Sequence, residues 1–182
     1  MNRGFARWRV EPLRNQRRTV VERLALAAPR PTRWLTARTA RVGSGSRLRR
    51  AALTRMLLVG VAANNRLDYE ALSAFLHPEV ELHMPSRRGA GMDPVYCGRE
   101  GYLIALQLWK EPFSEFRWEV LEMFDPGGDR FAARTDMVGR GRESGLELRE
   151  PQFNVWQLAD GFVWRQWAFT AEDEMLERLL DG

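Results

Sequence analysis

The stretch "AARTDMVGRGRESG", residues 132–145, sets Arg134 and Asp136 two apart in a segment that reads as a β-strand. Side chains alternate along a strand, so the two share a face. In a pocket, a guanidinium beside a carboxylate is a candidate for proton transfer or for holding a water. On a wet sheet surface the same pair is only an ion pair. Counting by twos in the next two strands gives Glu150, Gln152 and Asn154, then Trp164, Gln166 and Ala168. Whether these sets share a face with Arg134 and Asp136 depends on register, which turns and bulges set. Arg134 beside Asp136 would lower the carboxyl pKa and weaken it as a base.

Other chemistry is sparse. His83 lies in an alternating strand and His77 precedes Pro78. Two histidines and one cysteine, Cys97, offer no metal-ligand spacing, so no metal or other cofactor is expected. Cys97 reads as a small buried residue. "GRGRESG" precedes no helix and is not a phosphate loop. Trp109, Trp118, Trp156, Trp164 and Trp167 read as core, interface or pocket wall.

The chain of 182 residues is long enough for one domain with a real core. No apolar run approaches the roughly 18 residues of a membrane span. The single cysteine fits a reducing compartment, and a cytoplasmic location is expected. The net charge of +4 hides a split. Residues 1–50 hold fourteen Arg and two Glu, and the remainder carries 14 basic against 22 acidic residues. Residues 1–50 lack a sustained hydrophobic period and contain "PRP" and "GSGS", so they read as a disordered Arg-rich segment. At most "QRRTVVERLALAA" forms a short helix. Three readings of this segment stand open: a basic arm for nucleic acid, a targeting leader, or sequence upstream of the true start, with Met56 near the onset of the domain.

The domain is expected over residues 51–182. "AALTRMLLVGVAANNRLDYEALSAFL" has helical spacing, with Asp68 as the cap of a second helix. A short strand "HPEVELHMP", a loop "SRRGAGMD", a strand "PVYCG" and an amphipathic helix "REGYLIALQLWKEPF" follow. Four longer strands come next, the last two joined by the hairpin signal Asp160-Gly161. A final helix, capped by Thr170, closes the chain. Helices segregated from an antiparallel sheet mean α+β.

This order resembles the SnoaL-like branch of the nuclear-transport-factor-2-like superfamily. "LDYEALSAFLHPEVELHMP", "VYCGREGY", "EFRWEVLEMFDPGGDRFAAR", "GRGRESGLEL" and "VWQLADGFVWRQWAF" carry the resemblance over about residues 52–180. It implies a curved antiparallel sheet closed by N-terminal helices into a cone-shaped barrel with a small-molecule pocket. It also implies that the face counted above is the concave one. Arg134 and Asp136 would then be the polar floor, and His83, Tyr102, Trp118, Glu150, Gln152, Asn154, Trp164 and Gln166 would meet the ligand. The implied ligand is a small hydrophobic molecule with a carbonyl or hydroxyl. A cyclase or ketosteroid-isomerase-like enzyme would use Asp136 as base, with Asn154, Gln152, Tyr102 or His83 donating to the enolate. The alternative is a non-catalytic ligand-binding or dimerisation module. Arg134-Thr135-Asp136 is also similar to the Arg-x-Asp of limonene-epoxide-hydrolase-type members, but Gln166 and Ala168 stand where the second acid is needed. The resemblance further implies a homodimer through the sheet's outer face, supported by exposed Phe153, Trp167 and Phe169.

Overall fold

The computed structural model describes residues 5–11, 17–28, 30–31, 34, 37–38, 42–85 and 92–181. Most of the loop expected at 86–93 lies outside the described residues. Seven strands form one sheet: β1 (Ala6–Arg9), β2 (Leu76–His83), β3 (Val95–Cys97), β4 (Phe113–Asp125), β5 (Arg130–Gly141), β6 (Glu147–Ala159) and β7 (Phe162–Phe169). The spatial order is β1-β4-β5-β6-β7-β2-β3. All neighbours are antiparallel except β2 and β7, which run parallel. The strands keep two edges and do not close into a barrel; helices complete the cone. The helices described over their whole length are α1 (Val20–Ala27), α2 (Arg47–Asn65), α3 (Tyr69–Ser73), α4 (Gly98–Lys110) and α5 (Glu172–Leu180).

The α+β reading holds, and the sheet has two cores. On the concave side, Leu53 and Leu57 of α2, Leu72 of α3, and Tyr102, Leu106 and Trp109 of α4 pack against Val120, Met123, Phe131, Met137, Trp156 and Leu158. On the convex side, Met175 and Leu179 of α5 cover Phe124, Ala132, Phe153, Val155, Trp167 and Phe169. This corrects one expectation. Phe153, Trp167 and Phe169 are on the outer face but are buried within the chain, because the amphipathic α5 folds back over them. They form no exposed aromatic patch for a homodimer. Nor is α5 capped by Thr170. Its N-cap is Ala171 without a side-chain bond, and Glu172, Asp173 and Glu174 place negative charge at the helix's positive end.

The short helix expected in the N-terminal segment is α1; the disordered reading of the remainder is corrected at β1 and at the start of α2. Ala6–Arg9 adds a strand to β4, pairing Trp8 with Met123. Trp8 is buried and its indole N–H donates to Thr54 Oγ1 at 3.0 Å. Arg7 forms two hydrogen bonds with Glu122, at 2.6 and 2.7 Å. The short helix α1 is opened by a capping box, Thr19 with Glu22. The fully buried Glu22 is bonded by Arg66. Arg18 donates to Asp68 and Glu70. Arg49, inside the same expected disordered stretch, is 1% exposed and bidentate on Asp125 at 2.8 and 2.9 Å. The segment lacks a long apolar period because it docks largely through charge pairs and single anchors.

Cys97, expected to be buried, is exposed on edge strand β3. Asp68 caps α3 as expected, accepting from Ala71 N at 3.2 Å. No described helix is long and apolar enough to cross a membrane.

Candidate ligand pocket

A cavity of about 80 Å³ lies between the concave sheet and the helices. Met56, Leu57, Gly60, Val61 and Asn64 of α2 form one wall. Tyr102, Leu106 and Trp109 of α4 form another, spaced one helical face apart. The sheet contributes Trp118, Phe131, Thr135, Asn154, Trp156, Val163 and Gln166. Trp118 is fixed by an unusual edge contact. Among the described residues no strand pairs with the β4 edge at Trp118, and the Asn65 side chain pairs with the Trp118 N–H and C=O, both at 2.8 Å. The Trp109 and Trp118 rings meet edge to face at 5.2 Å, and Phe131 stacks on Trp156 at 5.2 Å.

One polar strip crosses this aromatic lining. The Tyr102 hydroxyl donates to Gln166 Oε1. Gln166 Nε2 donates to Asn154 Oδ1 at 2.9 Å, and Asn154 Nδ2 to Thr135 Oγ1 at 3.3 Å. Thr135 Oγ1 donates to the Gln152 carbonyl at 3.4 Å. Burial pushes the Tyr102 hydroxyl pKa well above its usual value, so it stays protonated.

Of the expected site residues, Tyr102, Trp118, Asn154 and Gln166 line the cavity. Arg134 and Asp136 do not. The four-residue connection Arg142–Gly145, closed by Gly141 N to Leu146 O at 2.9 Å, sets Thr135 opposite Gln152 and Ala133 opposite Asn154. Odd residues of β5 therefore share the concave face with even residues of β6. Thr135, the middle residue of "RTD", points inward, and its two neighbours point out. There Asp136 pairs with Arg149 at 2.6 Å instead of with Arg134. Arg149 also reaches Glu119 at 3.0 Å, which Arg117 holds at 2.8 Å. Arg134 stands opposite Glu122 and Phe153, and its buried Nε has no partner among the described residues.

Trp164 is displaced for a different reason. After the Asp160-Gly161 turn, where both residues have positive φ, the β6–β7 register shifts between Leu158–Val163 and Gln157–Arg165. The bulge inserts Trp164 and changes the parity, so Val163 faces in before it and Gln166 after it. Trp164 instead stacks under Arg165, 3.9 Å from its ring. His83 is on the outer face, 5.4 Å from Trp167 in a stacked pair and 2.8 Å from Glu81. Its partner residues keep it away from any ligand in this cavity. Glu150 lies opposite Met137, half-buried and outside the lining. Gln152 is buried beside Thr135, also outside the lining, and its Nε2 has no partner among the described residues.

Trp109 and Trp156 are among the tryptophans expected as core, interface or pocket wall, whereas Thr135, Asn64 and Phe131 are not anticipated. Thr135 and Phe131 follow directly once the "RESG" connection is counted as a four-residue turn. Asn64 carries no such signal. It lines the cavity while accepting Lys110 Nζ at its carbonyl (2.6 Å) and Oδ1 (2.8 Å). Among the described residues no group of His, Cys, Asp and Glu is placed to hold a metal.

Residues 60–166 match the SnoaL-like domain, more than half of the chain. The chain belongs to the SnoaL-like family. Solved structures share the fold of this SnoaL-like chain. TerC, crystallised with polyporic acid, is 19% identical with a TM-score of 0.57, covering 70% of this chain and 97% of its own. IdmH of Streptomyces antibioticus, a proposed polyketide cyclase, is 24% identical with a TM-score of 0.56, covering 69% and 96%. An NTF2-like protein of unknown function from Burkholderia pseudomallei is 18% identical with a TM-score of 0.57, covering 70% and 96%. No curated protein matches. The unmatched part of the SnoaL-like chain is chiefly the N-terminal segment that carries β1 and α1.

Proposed function

We propose that this SnoaL-like protein binds a small, flat, largely apolar molecule with a carbonyl or hydroxyl group. The observation that carries the reading is one hydrogen-bonding strip, Tyr102–Gln166–Asn154–Thr135, set in a cavity otherwise walled by Trp109, Trp118, Trp156 and Phe131. A few convergent polar groups in an apolar pocket orient a ligand without demanding much desolvation.

Binding is favoured over base catalysis. Among the described residues the lining carries amide, hydroxyl and indole groups and no carboxylate or imidazole. Asp136, the expected base, is held by Arg149 on the other side of the sheet. Size sharpens the reading. An apolar cavity of about 150 Å³ holds benzene, and this one is about 80 Å³. A ring-sized ligand therefore enters by moving a side chain or by extending out of the mouth.

The test is a titration of the full chain with cyclopentanone, followed by tryptophan fluorescence, since three indoles line the cavity. A saturable change supports the reading. A response that is absent, or linear up to the solubility limit, overturns it.

A further inference from the structure

The direction of the hydrogen-bond strip has a consequence for ligand choice. A backbone carbonyl only accepts, so Thr135 must use its single hydroxyl hydrogen on the Gln152 carbonyl. Toward Asn154 the hydroxyl can then only accept, which turns Asn154 Nδ2 toward it and Oδ1 toward Gln166. That in turn points Gln166 Nε2 at Asn154 and leaves Oε1 for Tyr102, which donates. The whole strip is polarised from one backbone atom. Each amide nitrogen carries two N–H groups and uses one inside the strip. The second N–H of Asn154 and of Gln166 remains, on two residues that line the cavity. Each side-chain carbonyl accepts one hydrogen bond within the strip and keeps a second lone pair.

We infer that the pocket selects a neutral ligand bearing an acceptor oxygen, such as a ketone, ester or amide carbonyl, and discriminates against ammonium ligands. The inference rests on the pocket reading above and names its ligand class. The opposing force is the aromatic wall, because indole faces attract cations. That attraction is modest at a cavity wall. Burying an ammonium with no carboxylate beside it costs more than that attraction returns, and an amide N–H turned toward it is repulsive. Desolvation and donor orientation outweigh the ring attraction. A carbonyl oxygen, with two in-plane lone pairs, accepts from both amides.

The test compares cyclopentanone with cyclopentylamine, which is an ammonium at pH 7, by calorimetric titration of the full chain. The expected result is that the ketone binds at least about tenfold more tightly. Gln166→Glu is nearly isosteric and can still accept from Tyr102, but it replaces the donor by a carboxylate. It is expected to reverse the order of the two probes. Asn154→Asp provides the same test at the other amide if the first variant fails to fold. Equal or tighter binding of the ammonium by the native chain overturns the inference and leaves the pocket reading standing. Binding of neither probe overturns both.

Discussion

At the scale of single residues, the decisive atom is the Gln152 carbonyl. It fixes the direction of four side-chain hydrogen bonds, and so sets how the amides of Asn154 and Gln166 are turned. The same residue scale settles Asp136. It is buried, but its partner Arg149 is half exposed and reaches it from the outer face. Asp136→Asn is therefore expected to leave cyclopentanone affinity unchanged and to cost at most about 1 kcal/mol, as for a solvent-screened ion pair. Calorimetric titration and urea unfolding of the variant check both parts. A tenfold loss of affinity would return Asp136 to the pocket. The residue types of the site were legible in the sequence. Tyr102, Asn154, Gln166 and Trp118 stand out as polar or aromatic residues in strands and an amphipathic helix. The "RTD" run misled because a matched Arg and Asp attract attention, while the Thr between them is chemically quieter and is the one that faces inward.

At the scale of elements, parity is what the sequence left open. Each strand of the meander showed its alternation, and the helices and strands from Arg47 onward fall within a few residues of where periodicity puts them. Alternation within a strand does not say which face of its neighbour it joins. Two local features decide that: the four-residue connection after Gly141 and the bulge at Trp164. The first swaps Arg134 and Asp136 for Thr135, and the second swaps Trp164 for Val163. Strand β1 escaped detection for a related reason. A four-residue edge strand has too few positions for a visible period, and Trp8 is its only buried side chain. Trp8→Ala is expected to destabilise the chain by about 3 kcal/mol, in the range of buried aromatic truncations. Urea unfolding measures this, and a midpoint within error of the native chain would mean that β1 contributes nothing to the fold.

For the whole molecule, charge ties the N-terminal segment to the domain and links stability to pH. Arg18 holds Asp68 below the usual carboxylate range, His83 and then Arg165 do so for Glu81, and Arg7 for Glu122. A lowered folded-state pKa means that the unfolded chain binds more protons, so stability rises with pH. This contribution is complete above about pH 4–5 and is lost as pH falls through and below that range. At the other limb, burial pulls Lys110 down to about 8. Its unfolded ammonium keeps its proton to about pH 10, so the same rule adds stability as pH rises from about 8 to 10. Lys110→Met is expected to flatten the upper limb in urea unfolding at pH 7.5–10, and identical slopes for the two proteins would contradict this. The fold family was legible because it resides in the order of elements. The ligand was not, because it depends on the shape and donor pattern that packing creates. The most direct test of the pocket is to fill it. Gly60 lies in the middle of α2, lines the cavity, and a Cβ added there meets nothing within 4 Å. Gly60→Leu is expected to improve helix propensity by about 0.5–1 kcal/mol and to raise Tm by about 1–4 °C, while abolishing cyclopentanone binding in calorimetric titration. A stable Gly60→Leu protein that binds cyclopentanone as tightly as the native chain would contradict the assignment of this cavity as the ligand site.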